Sequence, residues 1–186
     1  GTSLHDRGNY SLLDFNRAGV PLMELVTEPV IHSAKEASYF ARELQLLLRY
    51  LGVSDANMEK GEMRVEANIS VSDKEGVFGT KVEVKNLNSF RAVERAIAYE
   101  AKRQQELLKT GESVVQETRG WNDAKQETYT QRTKEDAHDY RYFPEPDLPA
   151  LILREYSELH ADVLRRALPE LPKQARERYT RDFGLK

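Results

Sequence analysis

Met63 to Val71 alternate between apolar and polar side chains without a break, and that period of two commits the segment to a strand with one buried and one polar face. Met63, Val65, Ala67, Ile69 and Val71 share the apolar face, and Arg64, Glu66, Asn68 and Ser70 share the other. After a turn around residues 73–76 the alternation resumes from Thr80 to Lys85, setting Lys81, Glu83 and Lys85 opposite Val82 and Val84. The short connection predicts an antiparallel hairpin whose strands carry one shared polar surface, with the register left open by Phe78 and Gly79.

Helical periods flank this hairpin. Ser33 offers an N-cap hydroxyl and Glu36 completes a capping box. Ala37, Phe40, Ala41, Leu44, Leu47, Leu48 and Leu51 then recur at spacings of three and four until Gly52, and the opposite face, with Lys35, Arg42 and Glu43, is expected to be solvated. The run Asn86 to Phe90 ends the second strand and caps another helix, with Phe90, Val93, Ile97, Ala101 and Leu108 as its buried stripe and Gly111 as its stop. Residues 114–118 and 127–133 predict a further strand pair, joined by a loop containing Trp121, Asn122 and Asp123. Residues 21–26 predict a strand interrupted by Glu24, and residues 148–153 a final strand. The segment from His138 to Asp147 holds Pro144 and Pro146 and is expected to be an aromatic, charged loop. Beyond it, two helical patterns near 155–168 and 173–183 suggest the start of a separate helical domain.

At 186 residues and 39% apolar content the chain has enough material for a real core, and no stretch approaches the about 20 apolar residues of a membrane span. Cysteine is absent, which removes disulfides, thiol nucleophiles and thiolate metal sites, so a metal would take oxygen ligands or the four histidines. A net charge of −3 argues against coating nucleic acid through a broad positive field and leaves a local basic cleft open. The chain opens at Gly1-Thr2-Ser3, which reads as an internal fragment of a longer protein.

The sequence has no phosphate-binding G-x-x-x-x-G-K-[ST] loop, no G-x-G-x-x-G, no H-E-x-x-H and no G-x-S-x-G. What gathers chemistry is the polar face: Arg64, Glu66, Asn68, Lys81, Glu83 and Lys85, with Asn86 and Asn88 at its rim. Carboxylates recruit Mg²⁺ and cations neutralise transferred phosphoryl oxygens, so the set suits polyphosphate chemistry. The same residues also suit a solvated sheet face stitched by cross-strand ion pairs, and pattern alone leaves both readings open. Arg141, set between Tyr140 and Tyr142, suits phosphate or carboxylate recognition, whereas the neighbouring aromatics serve equally as anchors of a long connection.

Several blocks resemble the GatB family, the B subunits of the tRNA-dependent aspartyl/glutamyl amidotransferases. They are Tyr10 to Leu22, Gly52 to Asp55, Arg64 to Ser70, Gly79 to Lys81 continuing through Lys85 to Phe90, Gln116 to Arg119, and Asp139 to Asp147. The likeness runs from about Tyr10 to Pro172. It implies an α+β catalytic domain shaped as a cradle, with an antiparallel sheet similar to that of glutamine synthetase, over residues 1–153 and short of its N-terminal part. The start of a helical domain follows over 154–186.

The resemblance further implies ATP- and Mg²⁺-dependent phosphorylation of the glutamyl or aspartyl carboxylate on a mischarged tRNA. In the heterotrimer it implies, ammonia arrives from the A subunit, which is an amidase, and the C subunit holds the pair together. Glu24 and Glu66 fall where the family places metal-binding carboxylates. Lys81, Glu83, Lys85 and Arg141 are expected to be catalytic, and Arg64, Asn68, Asn86 and Asn88 to bind substrate or phosphate. Glu66 departs from the Asp, and Val65 from the Cys, found in many members. No membrane or DNA partner is expected, and the compartment implied is the bacterial cytoplasm or an organellar matrix or stroma. The competing readings are a non-catalytic RNA-binding or scaffold segment of the same assembly, and an amide ligase acting on a small metabolite.

Overall fold

The computed structural model describes residues 3–6, 8–16, 18–133 and 146–185, and it divides into two compact units, residues 1–31 and 32–186. In the first unit, β1 (Ser3–Asp6) and β2 (Ser11–Asp14) form an antiparallel hairpin whose connection includes Gly8 at φ 73°. Residues 21–26 are irregular rather than a strand: they lack a pairing partner among the described residues of that unit, and Leu22, Met23, Leu25 and Val26 are exposed.

The second unit begins with α1 (Ala34–Tyr50), where the Glu36 N–H donates to Ser33 Oγ at 3.2 Å. The Glu36 carboxylate accepts from the His32 N–H at 2.8 Å, so the reciprocal bond of the capping box reaches one residue further back than expected. Next come β3 (Val65–Ile69), β4 (Val82–Leu87), α2 (Phe90–Thr110), β5 (Glu117–Asn122) and β6 (Glu127–Thr133). The sheet order is β3-β4-β5-β6, with β3–β4 and β5–β6 antiparallel and β4–β5 parallel. The expected wholly antiparallel sheet is therefore mixed, because α2 carries the chain back across the sheet before β5 starts and parallel neighbours need such a crossover. The fold is α+β.

Alternation held for β3 and β4 and slipped once. Val65 pairs with Leu87 and Ala67 with Val84, so Glu66 stands opposite both Lys85 and Asn86. Asn86 takes the extra position at φ 66°, a region that Asn enters more readily than most residues, and Leu87 is buried one position late. The core lies where Val82, Val84 and Leu87 of β4 meet Val93 and Ala96 of α2 and Trp121 of β5, with the Tyr99 ring edge-on to Trp121 at 6.2 Å. β5 begins later than expected: residues 114–116 are not in the strand, while Trp121 is inside it and buried. Ser89 caps α2 through the Ala92 N–H at 3.0 Å, and Gly111 at φ 79° ends it.

Helix α1 packs against α2, with Ser38 Oγ donating to the Phe90 carbonyl at 3.0 Å. Two residues expected on its solvated face have partners: the Arg42 guanidinium lies 4.8 Å from the Phe90 ring centroid, and Glu43 pairs with Arg176. Residues 148–152 form no strand, and 3₁₀ turns at Leu153–Glu155 and Ser157–Leu159 precede α3 (Ala161–Ala167) and α4 (Pro172–Phe183). Helix α4 packs against α1, and its Pro172 and Ala175 are buried. Among the described residues no helix is long and apolar enough to cross a membrane.

Candidate functional site

The polar face predicted from β3 and β4 is real, and its centre is Lys85. Lys85 Nζ lies 3.1 Å from Glu66 Oε2 and 3.5 Å from Glu83 Oε1, joining a carboxylate on the neighbouring strand to one two residues away on its own. Partial burial works against the ammonium charge, but the hydrogen bond to Glu66 and the charges of Glu66 and Glu83 outweigh it, and the Lys85 pKa is raised above the usual lysine value. Glu66 is the open end of this chain at 46% side-chain exposure, whereas Glu83 is the closed end at 15%. Glu83 also accepts a hydrogen bond of 2.9 Å from Thr118 Oγ1 on β5, so the face extends onto a third strand.

The other predicted residues fall around this chain. Asn68 is exposed on β3 and pairs with Glu83 across the ladder. Asn86 donates its side-chain amide to the Trp121 carbonyl at 2.9 Å, and Asn88 donates to Asn86 Oδ1 at 2.9 Å, so both are fixed at the rim. Arg64 and Lys81 are exposed beside the starts of β3 and β4, and among the described residues the ion pairs of Lys85 are with Glu66 and Glu83. Glu24 belongs to the first unit, where it is exposed in the irregular segment. Arg141 and its aromatic neighbours lie outside the described residues.

Behind the sheet, on the side of α2, sits an ion network that the sequence pattern did not announce. Glu100 is wholly buried; Arg103 donates to both of its oxygens at 3.0 and 2.7 Å, Gln104 at 2.9 Å and Thr128 at 2.9 Å. Arg119 Nε lies 3.4 Å from Glu100, and its Nη1 donates to Glu117 at 2.6 Å. Burial acts to raise the Glu100 carboxyl, but the bonds from Arg103 and Gln104, the Arg103 charge and the Thr128 hydroxyl together hold it below the usual glutamate value. Gln104 also bridges to β3, donating to the Ile69 carbonyl at 3.2 Å and accepting from the Val71 N–H at 3.0 Å. The available signal was position: Glu100 and Gln104 continue the stripe of Val93 and Ala96 at helical spacing, and a charged residue on a buried stripe requires a partner.

Among the described residues no three acidic or histidine side chains converge as a ready metal cage, and every buried side-chain nitrogen or oxygen has a hydrogen-bond partner. The arrangement is an exposed line of alternating charges on a sheet whose reverse is locked by a second, buried ion cluster. Such a face can bind a polyanion through Lys85 and present Glu66 to a cation.

Comparison with known proteins agrees with the blocks quoted from the sequence. The family model described as the GatB/GatE catalytic domain matches residues 1–158. The aspartyl/glutamyl-tRNA(Asn/Gln) amidotransferase B subunit of Caldicellulosiruptor saccharolyticus is 54% identical over 100% of this chain and 38% of its own length. The B subunit of Thermodesulfovibrio yellowstonii is 50% identical with the same two coverages, and that of Gloeothece citriformis is 52% identical over 95% of this chain and 35% of its own length. This chain thus spans well under half the length of the curated relatives it matches. With a catalytic-domain match covering β1 to the 3₁₀ turns and about half of all positions identical to these relatives, the chain belongs to the GatB/GatE catalytic domain family.

Proposed function

We propose that the polar face of β3, β4 and β5 is part of a transamidation site that uses ATP to turn the side-chain carboxylate of mischarged Glu-tRNA(Gln) or Asp-tRNA(Asn) into an amide. The observation that carries this reading is the Glu66–Lys85–Glu83 chain on an exposed sheet face, in a chain whose relatives are named as amidotransferase subunits. A carboxylate is a poor acceptor for ammonia because its leaving group would be an oxide. Transfer of the γ-phosphoryl from ATP to a carboxylate oxygen releases ADP and gives an acyl phosphate. Ammonia then adds to the acyl carbon, the C–O bond breaks, and inorganic phosphate leaves.

In this scheme Lys85, kept charged by its two carboxylates, holds phosphoryl oxygens, and Lys81, Arg64 and Arg141 add positive charge around them. Asn68, Asn86 and Asn88 orient the substrate. Oxygen donors are what Mg²⁺ takes, so Glu66 would fit as a ligand on this face, and Glu24 keeps the metal-binding role that the family resemblance gives it. Bound Mg²⁺ supplies charge stabilisation to the phosphoryl in flight. Residues 1–153 then serve as a catalytic cradle similar to glutamine synthetase and residues 154–186 open a helical domain. An amidase partner delivers ammonia, a third protein holds the pair together, and the assembly works in a bacterial cytoplasm or an organellar matrix or stroma.

The test is Glu66→Gln in the full-length protein assembled with its partners. ATP-dependent amidation of mischarged tRNA is expected to disappear while glutamine hydrolysis persists. Normal amidation by this variant would leave the segment as an RNA-binding or scaffold part of the assembly.

A further inference from the structure

Strand β5 joins the two charged systems of the sheet. Its odd-numbered residues face α2: Glu117 and Arg119 enter the Glu100 network, and Trp121 meets Tyr99. Arg119 is bonded on every side, to Glu117 at 2.6 Å, Thr128 Oγ1 at 2.8 Å, the Thr128 carbonyl at 2.9 Å and Thr130 Oγ1 at 3.0 Å. On the other face of β5 Thr118, only 1% exposed, presents a hydroxyl to Glu83 at 2.9 Å, and the Trp121 carbonyl receives Asn86 at 2.9 Å.

We propose that Thr118 is a positioning residue of the site, orienting the Glu83 carboxylate so that Lys85 is held with one N–H free for a phosphoryl oxygen. The proposal rests on the function proposed above. A buried β-branched side chain has few χ1 choices, so the position of Thr118 Oγ1 is fixed and its hydroxyl favours one orientation of Glu83. With Oε2 taken by Thr118, Oε1 turns toward Lys85 at 3.5 Å. Lysine has three N–H donors; one is bonded to Glu66 at 3.1 Å, a second faces Glu83 at 3.5 Å, and among the described residues the third has no protein acceptor, which suits it to a phosphoryl oxygen. Thr118 itself, buried under Glu83, acts only through that carboxylate.

The test compares Thr118→Val and Thr118→Ser in the full-length assembled amidotransferase, with and without Glu83→Gln. Valine keeps the shape and removes the donor. Losing one hydrogen bond to a charged group is expected to lower kcat about tenfold while KM for ATP stays within about twofold, and serine is expected to restore the rate. In the Glu83→Gln background, Thr118→Val is expected to add nothing to the residual activity. An additive loss in that background, or a serine variant as slow as the valine one, overturns the proposal. Should Thr118→Val fail to fold, as judged by its thermal midpoint, Thr118→Ala carries the same cycle. If Glu83→Gln and Lys85→Met both amidate normally, the polar face is not the site at all. If both are impaired and Thr118→Val matches the wild type, only the role of Thr118 is lost.

Discussion

Glu100 and Arg103, one turn apart on α2, meet through two hydrogen bonds of 3.0 and 2.7 Å, with the carboxylate wholly enclosed. Because the folded-state pKa of Glu100 is depressed, its contribution to stability is fully present above the unfolded glutamate value of about 4.3 and is lost as pH falls through the lower folded value. Glu100→Gln is expected to flatten the acid limb of a urea midpoint plotted against pH. Glu100→Ala, which strands Arg103 and Arg119, is expected to cost about 3–5 kcal/mol at neutral pH. Parallel acid limbs for wild type and the glutamine variant would remove Glu100 as the source of the acid sensitivity.

Gly79, in the β3–β4 connection, and Gly120, in β5, differ in what a methyl group would meet. A Cβ at Gly79 lies 1.9 Å from the Val71 carbonyl oxygen, a backbone atom that moves only if the hairpin end opens. At Gly120 the nearest atoms, at 2.6 Å, are the far ends of the Tyr129 and Gln131 side chains, which can swing aside. Gly79→Ala is therefore expected to destabilise by at least about 1–3 kcal/mol and Gly120→Ala by less than about 1 kcal/mol. Chemical denaturation of both variants checks the order, and equal losses contradict it.

Asn86 combines a left-handed backbone with a side-chain bond to the Trp121 carbonyl. Asn86→Gly keeps the backbone and loses the bond to the Trp121 carbonyl and the exposed one from Asn88, at about 1–2 kcal/mol together, whereas Asn86→Val adds the strain of a β-branched residue at positive φ, at about 1–2 kcal/mol more. Denaturant midpoints that place valine at or above glycine would show that the backbone at this position relaxes freely.

Removing the cap of α2 gives a smaller, local effect. Ser89→Ala loses the bond to the Ala92 N–H and is expected to cost about 1 kcal/mol, and Ser89→Asp is expected to recover most of it. Amide exchange in the first turn of α2 reports the change directly: faster exchange for alanine than for aspartate is the expected order.

The helices, their caps and the β3–β4 polar face were legible because each rests on local pattern: Ser33 and Ser89 before helical stripes, Gly111 after one, and strict alternation through Val84. The parallel β4–β5 junction was not, since strand order depends on where α2 returns the chain and no local period encodes that. The segment holding Glu24 has the alternation-poor, apolar look of a strand, yet pairing requires a neighbour and none is described in its unit. Thr118 and Arg119 escaped because their partners are distant in sequence, 35 residues away for Thr118 and Glu83, whereas Glu100, bonded to Arg103 and Gln104 on its own helix, could have been found from its place on the buried stripe. The slip at Asn86 was readable in hindsight of geometry alone: after Val82 and Val84, the next inward position by strict alternation is Asn86, and the apolar residue arrives at Leu87.

That slip acts as a register lock. A β3–β4 ladder shifted by one step, or straightened through the extra position, would bury the Asn86 amide or expel Leu87 into water, so competing alignments are penalised before any ligand arrives. The slip at Asn86 thereby fixes, to within one pleat, whether Glu66, the one carboxylate of β3, faces Lys85.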